Sequence, residues 1–462
     1  MSETGATCRR TREDRISFLP DHLLCEILSD VPTKTAVVTS VLSTRWRTIW
    51  LSTPVLDLHT HDFPNFTAFA SFISRFLDFS SGSSCLHKLK LESWNFYFVK
   101  SNPYYLIKKW INNAVTRKVQ HLDILYPWFL EKMPLSIYTC ESLVSLKLSD
   151  VLLADSEYFS IPCLKIMHLV NSIYTNGAFL EKLISSCPVL EDLTVVKDRD
   201  AEYDFEALRV RSQSLKSLVV DIDGHTYMDS ENTGKAVVID APGLNYLSLK
   251  DKQSTSFVIS KLSLSAKVNV NVSFDMDFDT DVIDSSKRSV VRTFFTMLST
   301  VRDMTLRGTT LHIISLYLKH ELLPQFPYLI RFNAVFYNSD LGKLPNILQS
   351  CPNLKSLVLE LEEFKMNDLL VLSSSSVPEC LRSSLEHVEI KTLIRGAVAE
   401  MELVKYFLEN SAVLKKLKLC LRRGRMNEES IILMELLGLR RCSPSCEVVV
   451  QLEELKETSL KL

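Results

Sequence analysis

The sequence predicts an α/β protein with a small three-helix cluster at the N-terminus, then an array of parallel strands, then an α/β segment that closes the array. Short helical patterns separated by prolines fill residues 14–58. From residue 85 onward, an apolar L-x-x-L-x-L stretch recurs at intervals of roughly 20–30 residues, and helical patterns precede several copies. Residues 376–452 alternate strand and helix patterns up to the end of the array.

The N-terminal helices are short, and prolines delimit them. The first pattern begins at Pro20, whose fixed φ suits a first helical turn, and Pro32 ends it. Thr33 can cap the second pattern, and Ser43 the third, which stops at Pro54. Helices below roughly 12–15 residues are marginal in water, so these must bury their apolar stripes against one another. Because their apolar side chains outnumber one small core, we also expect a partner.

Residues 14–58 resemble the F-box of plant proteins. The resemblance lies in DRIS-x-LP-D-x-LL-x-x-IL from Asp14, PTK from Pro32 and SVLS-x-RWR from Ser40, with Trp50 behind it. It implies a module that binds a Skp-family adaptor and thereby a cullin–RING ubiquitin ligase; an ordinary three-helix cluster is the alternative. By that resemblance, the residues that form or support the adaptor contact are Leu19, Pro20, Leu23, Ile27, Leu28, Pro32, Val41, Leu42 and Trp46.

Composition bounds the class of protein. The chain has 462 residues, 46% hydrophobic and 23% charged, which is typical of an ordered chain. A formal net charge of -2 provides no basic field for phosphate backbones, so we expect no nucleic-acid partner. The 11 cysteines are scattered without a C-x-x-C pair, and neither a secretory start nor a membrane span is visible. We therefore expect a protein of the nucleus or cytoplasm with reduced thiols.

The strand pattern indicates leucine-rich repeats. One unit cannot bury its own leucines, so we expect the units to stack as parallel strands in an irregular solenoid. The interval between Leu244 and Val301 is about twice as long as the others, and Val268–Phe278 supplies a degenerate strand that alternates apolar and polar residues. The first residues of the regular copies are Leu86, Val119, Leu143, Leu164, Leu190, Leu215, Leu244, Val301, Leu354, Leu385 and Leu414, and a weaker copy begins at Leu329.

Helical patterns connect these strands. Phe66–Phe79 predicts an amphipathic helix between the F-box and the first repeat. The patterns that precede later strands are Leu106–Val115, Phe179–Cys187, Val290–Ser299, Leu344–Cys351 and Val404–Ser411. The predicted organisation is a disordered lead (1–13), the F-box (14–58), a helical linker (59–84), irregular leucine-rich repeats (85–375), a capping domain (376–452) and a tail (453–462).

The capping segment resembles the plant FBD domain. The matching motifs are VPECL-x-SSLE-x-VEIK from Val377 and EMEL-x-KYFLENS-x-VLKKL from Glu400. F-box, repeats and FBD occur in this order in one family of plant F-box proteins. Membership implies a substrate-recognition subunit of an SCF-type ubiquitin ligase, whose solenoid binds a target protein. The alternatives are a binding scaffold outside a ligase, or a small-molecule receptor with a pocket on the solenoid.

No motif predicts catalysis or a cofactor. HELLP from His320 lacks the second histidine of a zinc-protease helix, and the acidic run from Asp275 lacks the glycine and the last glutamate of a calcium loop. No hydrolase G-x-S-x-G motif is present. We therefore expect a non-catalytic receptor subunit without cofactor or metal.

The residues between the leucines of each strand predict the target-binding face. They point away from the core, so a large target could contact many strands together. Lysines dominate these positions in the N-terminal strands, and aspartates in the strand at 268–279. We predict that Asp275, Asp277 and Asp279 attract a basic patch of the target.

Overall fold

The computed structural model describes residues 16–79, 85–92, 104–125, 132–174, 177–197, 207–222, 235–276, 283–362, 372, 376–394, 398–422 and 426–453. The chain divides into two compact units, Met1–His168 and Leu169–Leu462. Both contain parallel strands joined by helices, and the N-terminal helices precede the first strand. The predicted α/β fold class is confirmed.

The first unit begins with the three short helices that the prolines predict. Its helices are α1 (Asp21–Ser29), α2 (Thr33–Val38), α3 (Trp46–Ile49), α4 (Phe66–Phe79) and α5 (Tyr104–Thr116). Its strands are β1 (Val55–His59), β2 (Lys88–Glu92), β3 (His121–Leu125) and β4 (Ser145–Ser149), and β5 (Ile166–Val170) crosses the division. Strands β1 to β4 pair in parallel in chain order. Strand β1 has no counterpart among the predicted repeats, whereas α4 has the predicted bounds.

A hydrogen bond and ring stacking join the three N-terminal helices to β1 and α4. The backbone N–H of Asp57, in β1, donates to the Thr33 hydroxyl of α2 at 2.8 Å. The indole ring of Trp50 stacks on Phe72 and Phe76 of α4, at centroid distances of 5.7 and 6.2 Å. Strand β1 and helix α4 therefore help to hold the N-terminal helices in place.

The second unit is a longer array. Its helices are α6 (Gly177–Ser185), α7 (Ser285–Met297), α8 (Gly308–Tyr317), α9 (Leu344–Gln349), α10 (Glu379–Ser383), α11 (Val398–Asn410) and α12 (Met426–Gly438). Its strands are β6 (Asp192–Lys197), β7 (Ala207–Arg211), β8 (Ser217–Ile222), β9 (Ala236–Asp240), β10 (Tyr246–Asp251), β11 (Ser256–Ile259), β12 (Lys267–Val272), β13 (Asp303–Arg307), β14 (Arg331–Tyr337), β15 (Ser356–Glu362), β16 (His387–Ile394), β17 (Lys416–Arg422) and β18 (Glu447–Glu453).

The main sheet of this unit follows the predicted leucine pattern. Its parallel order is β6-β8-β10-β12-β13-β14-β15-β16-β17-β18. Apart from β12 and β18, each of these strands starts two residues after the first residue of its predicted repeat copy. Strand β8, for example, starts two residues after Leu215. Inward side chains are buried and the interleaved ones are partly exposed, as in β6. The sheet runs without interruption into the FBD region, where Leu357, Val388, Leu417 and Val448 lie in register.

A second, three-stranded parallel sheet was not predicted. It has the order β11-β9-β7, and its strands alternate along the chain with β6, β8, β10 and β12 of the main sheet. Buried apolar residues alternate with more exposed ones in these segments, Leu208 and Val210 in β7 and Val237 and Ile239 in β9, which is the period of a strand. Helix α8 was also not predicted; it is buried on nearly every side, so it lacks an amphipathic period.

The predicted degenerate strand at Val268–Phe278 is shorter than expected. Strand β12 ends at Val272, because Phe274 and Asp275 adopt left-handed backbone angles, with φ of 54° and 50°. The Phe274 ring is buried against Phe257 and Phe294, at centroid distances of 5.4 and 5.3 Å. The apolar alternation beyond Val272 therefore reflects burial of a turn. Phe278 lies outside the described residues.

The hydrogen bond between Thr33 and Asp57 allows a test of how α2 is held. Replacing Thr33 with Val preserves the side-chain shape but leaves the Asp57 N–H without its acceptor in a buried place, which costs about 1–3 kcal/mol. We expect faster hydrogen exchange at the Asp57 amide and a lower unfolding free energy. The control is Thr35→Val, at an exposed position of the same helix. Equal effects of the two substitutions would contradict this account.

Candidate adaptor interface

The N-terminal helices enclose a small apolar core. Its buried members are Leu24, Leu28, Ala36, Trp46 and Ile49, with Leu19, Cys25, Val31 and Trp50 packed around them. The Cys25 thiol donates to the backbone carbonyl of Ile49 at 3.6 Å, and burial raises the pKa of that thiol, with a further rise from Asp21. Leu28 and Trp46, two of the predicted adaptor residues, thus support the surface from inside.

The outer faces of the same segments are apolar as well. Seven large hydrophobic side chains within residues 16–42 are exposed: Ile16, Phe18, Leu23, Ile27, Val38, Val41 and Leu42. Phe18 and Val41 are 84% and 82% exposed. Single exposed apolar residues are ordinary on a protein surface, but such a concentration marks an interaction site.

The predicted adaptor residues fall into two groups. Leu28 and Trp46 are buried and Leu19 is half-buried, whereas the others are exposed: Pro20, Leu23, Ile27, Pro32, Val41 and Leu42. Sequence reasoning missed Ile16, Phe18 and Val38. The sequence pattern could have identified them. Ile16 and Phe18 are large apolar residues in the loop before α1, and Val38 lies outside the buried face of α2.

Arg45 fixes the loop that carries Ile16 and Phe18. Its guanidinium donates to the backbone carbonyls of Ser17 and Leu19 and, through Nε at 2.9 Å, to the Asp21 carboxylate. These bonds join the start of α3 to the segment before α1, so the exposed apolar side chains stand on a pre-organised backbone.

A groove lies beside the exposed Val41. It is an open depression of about 750 Å³, lined by Val37, Ser40, Val41, Ser43, Thr44, Arg47 and Trp50. The indole N–H of Trp50 donates to the carbonyl of Arg47 at 3.0 Å, which fixes one wall. The groove combines an apolar wall with hydroxyl groups and one cation, a lining that suits a partner's apolar side chain and carboxylate.

The strand face of the first unit is less basic than the sequence suggests. Lys88 pairs with Asp57 at 2.8 Å, and Lys90 lies 3.8 Å from Asp57 and 3.6 Å from Glu92. Burial raises the pKa of Asp123, although neighbouring lysines oppose the rise. On β2, carboxylates of Asp57 and Glu92 therefore balance the charges of Lys88 and Lys90.

Asp275, one of the three aspartates of the predicted target site, does not lie on strand β12. Asp275 lies in the left-handed turn after the strand, not on its outward face. Asp277 and Asp279 lie outside the described residues. A target-binding role for these aspartates stays a prediction.

The described residues contain no group of three or more His, Cys, Asp or Glu side chains that could hold a metal ion. Among the described helices, none is both long and apolar enough to cross a membrane.

The fold and the exposed helix faces together define an F-box protein of the adaptor type, built on parallel-strand repeats. Family models match accordingly: the F-box domain at residues 16–57, the LRR repeats of FBD-associated F-box protein At5g56370 at 107–301, and FBD at 373–419. The expected order of the three regions is confirmed.

Relatives match nearly the whole chain. The putative F-box/FBD/LRR-repeat protein At5g22670 of Arabidopsis thaliana is 58% identical over 96% of this chain and 98% of its own. F-box/FBD/LRR-repeat protein At5g22660 of the same plant is 51% identical, over 97% and 99%. This chain therefore belongs to the F-box/FBD/LRR-repeat family. Among solved structures, a Leptospira interrogans LRR protein gives a TM-score of 0.38 at 15% identity, covering 92% of this chain and 97% of that one.

Two neighbours on α1 separate stability from recognition. Leu28 is 5% exposed and Ile27 is 48% exposed. We expect Leu28→Ala to destabilise the helix cluster by about 2–5 kcal/mol, because it leaves a cavity in the core. Ile27→Ala should change stability by less than about 1 kcal/mol. Hydrogen exchange over residues 21–51 of the full chain measures both. Similar protection losses in the two variants would contradict the assignment of Ile27 to the free surface.

Proposed function

We propose that this chain is the substrate-recognition subunit of an SCF-type ubiquitin ligase. Its F-box binds a Skp-family adaptor, and its strand array binds a target protein. The ligase's partner enzyme then transfers ubiquitin to a lysine of the target. The chain contributes by holding target and enzyme together, which raises the effective concentration of one near the other.

The observation that carries this proposal is the exposed apolar surface of residues 16–42. Leu23 and Ile27 remain exposed on α1 although the neighbouring Leu24 and Leu28 are buried, and Val41 and Leu42 are exposed after α2. Exposing so many aliphatic groups costs hydration free energy, roughly 25 cal/mol for each Å² of apolar surface. A partner that covers them recovers this free energy, and the F-box relationship indicates an adaptor of the Skp family as that partner.

Three buried thiols are unsuited to nucleophilic catalysis. Cys187, Cys351 and Cys380 are buried, and burial raises the pKa of each. A raised pKa keeps a thiol protonated, and the thiolate is the nucleophile. In our proposal the ubiquitin chemistry belongs to the partner enzyme.

The adaptor contact is tested by placing charge on the exposed surface. We expect Val41→Glu combined with Leu42→Glu to weaken adaptor binding at least about 30-fold, since anchor side chains in an interface commonly contribute 2 kcal/mol or more. Both positions are exposed, so the fold should be unaffected. Binding is measured by calorimetry with purified Skp-family adaptor and the full chain.

Thr67→Glu is the matched control, because Thr67 is exposed on α4 outside the F-box. It should leave adaptor affinity unchanged. Undiminished binding by the double variant, or an equal loss in the control, would overturn the adaptor assignment. Loss of binding together with loss of the thermal transition would point to unfolding, and the exposed single variant Ile27→Glu then decides the matter by the same two measurements.

A further inference from the structure

Four adjacent strands of the second unit carry a row of neutral polar side chains. Ser248, Asn269, Thr305 and Asn333 lie in register on β10, β12, β13 and β14. The Asn269 amide donates to the Ser248 hydroxyl at 3.2 Å, and the Asn333 amide donates to the Thr305 hydroxyl at 3.2 Å. All four side chains occupy the interleaved positions that point away from the leucine core.

This row can bind an extended peptide backbone. The Ser248 and Thr305 hydroxyls accept bonds from the amides, so each retains its own O–H as a donor. The asparagines are oriented by the same bonds, which reduces the entropy lost when a ligand binds. An extended segment presents N–H and C=O groups alternately, and a row that combines donors and acceptors matches both.

Cationic groups surround the row. An open depression of about 370 Å³ is lined by Tyr246, Lys267, Val268, Asn269, Asp303, Thr305, Arg307, Arg331 and Asn333. The carboxylate of Asp303 accepts from Arg331 at 2.8 Å and lies 3.9 Å from Lys267. The lining thus contains one carboxylate, Asp303, and three cations, Lys267, Arg307 and Arg331, which leaves an excess of two positive charges.

Arg307 differs from two lysines on the strand face of this unit, Lys250 and Lys418. Lys250 lies 3.3 Å from Asp221, and Lys418 lies 2.8 Å from Glu389, so carboxylates of neighbouring strands neutralise both lysines. In the part of the chain that the structure describes, no carboxylate lies within ion-pair distance of Arg307, which is exposed. Arg307 lies on β13 two residues beyond Thr305, beside the polar row. A guanidinium without a carboxylate partner among the described residues is suited to a carboxylate from another molecule.

We infer that this depression, named here the polar groove and defined by the lining residues given above, binds an extended protein segment that carries Asp or Glu side chains. One carboxylate pairs with Arg307, and the excess charge of Lys267 and Arg331 attracts the others. The backbone of the segment lies along the row of Asn and hydroxyl side chains, and the partly exposed Tyr246 is one of the lining residues. That this segment belongs to a ubiquitination target rests on the proposed function; the binding itself does not.

The test uses the full chain and three labelled nonapeptides, in which Ser alternates with Glu, with Gln or with Lys. We expect fluorescence anisotropy to show binding of the Glu peptide, with affinity that falls as salt is added. The Gln and Lys peptides should bind at least about tenfold more weakly, since hydrogen bonds to charged groups are roughly twice as strong as neutral ones. Equal binding of the Glu and Gln peptides would overturn the inference.

Two arginines of one repeat provide matched variants. Arg307→Gln should weaken the Glu peptide about tenfold and reduce the salt dependence. Arg302→Gln removes the same charge from an exposed position that does not line the groove, and should change affinity less than about twofold. Equal effects of the two would locate the binding elsewhere. The double variant Asp277→Asn with Asp279→Asn tests whether the chain's own acidic run occupies the groove. A higher affinity of this variant for the Glu peptide would mean that it does, and would also overturn the inference.

Adaptor binding measured on the same preparations separates the two proposals. If Arg307→Gln loses the peptide but keeps the adaptor, the groove is supported independently of the ligase assignment. If the wild-type chain binds the Glu peptide but no adaptor, the ligase proposal fails while the groove stands. If it binds adaptor and not the peptide, the groove fails alone.

Discussion

The whole architecture depends on one constraint: a single repeat cannot bury its own apolar side chains. Each strand completes its neighbour's core, as Leu247 does between Leu218 and Val268, all of them buried. Parallel pairing places inward residues of neighbouring strands side by side, as Leu247 lies opposite Leu218 and Val268, so apolar rows extend along the second unit; between Ile390 and Leu393 the register of β16 against β17 shifts. The FBD region satisfies the same constraint, because β16, β17 and β18 add further members to these rows.

Strict alternation along the strands separates stability from recognition. The inward positions are committed to packing, and the interleaved positions are left to bind other molecules, as Asn269 and Arg307 do in the polar groove we infer. The F-box helices also separate packing residues from surface residues, but with the period of a helix. On α1, Leu24 and Leu28 face the core while Leu23 and Ile27 face outward. Both proposed binding surfaces thus consist of positions that the packing pattern of the fold leaves outside the core.

Where sequence reasoning failed, packing had overridden the local pattern. Strands β7, β9 and β11 occupy places where other repeats have helices, and short β-branched segments gave only a weak signal. Helix α8 is buried on nearly all sides and shows no amphipathic face. Alternation beyond Val272 indicated a strand, but Phe274 turns back in a left-handed conformation to pack on Phe257 and Phe294.

By itself, the sequence determined the F-box motif, the starts of the leucine-bearing strands and the order of F-box, repeats and FBD, because these depend on local periodicity and motif spacing. Only the tertiary structure decided which charges are neutralised. Lys88 pairs with Asp57 from 31 residues earlier, whereas Arg307 is left without a carboxylate among the described residues. Strand register brings such residues together across whole repeats, and a pattern read along one strand contains no information about its neighbours.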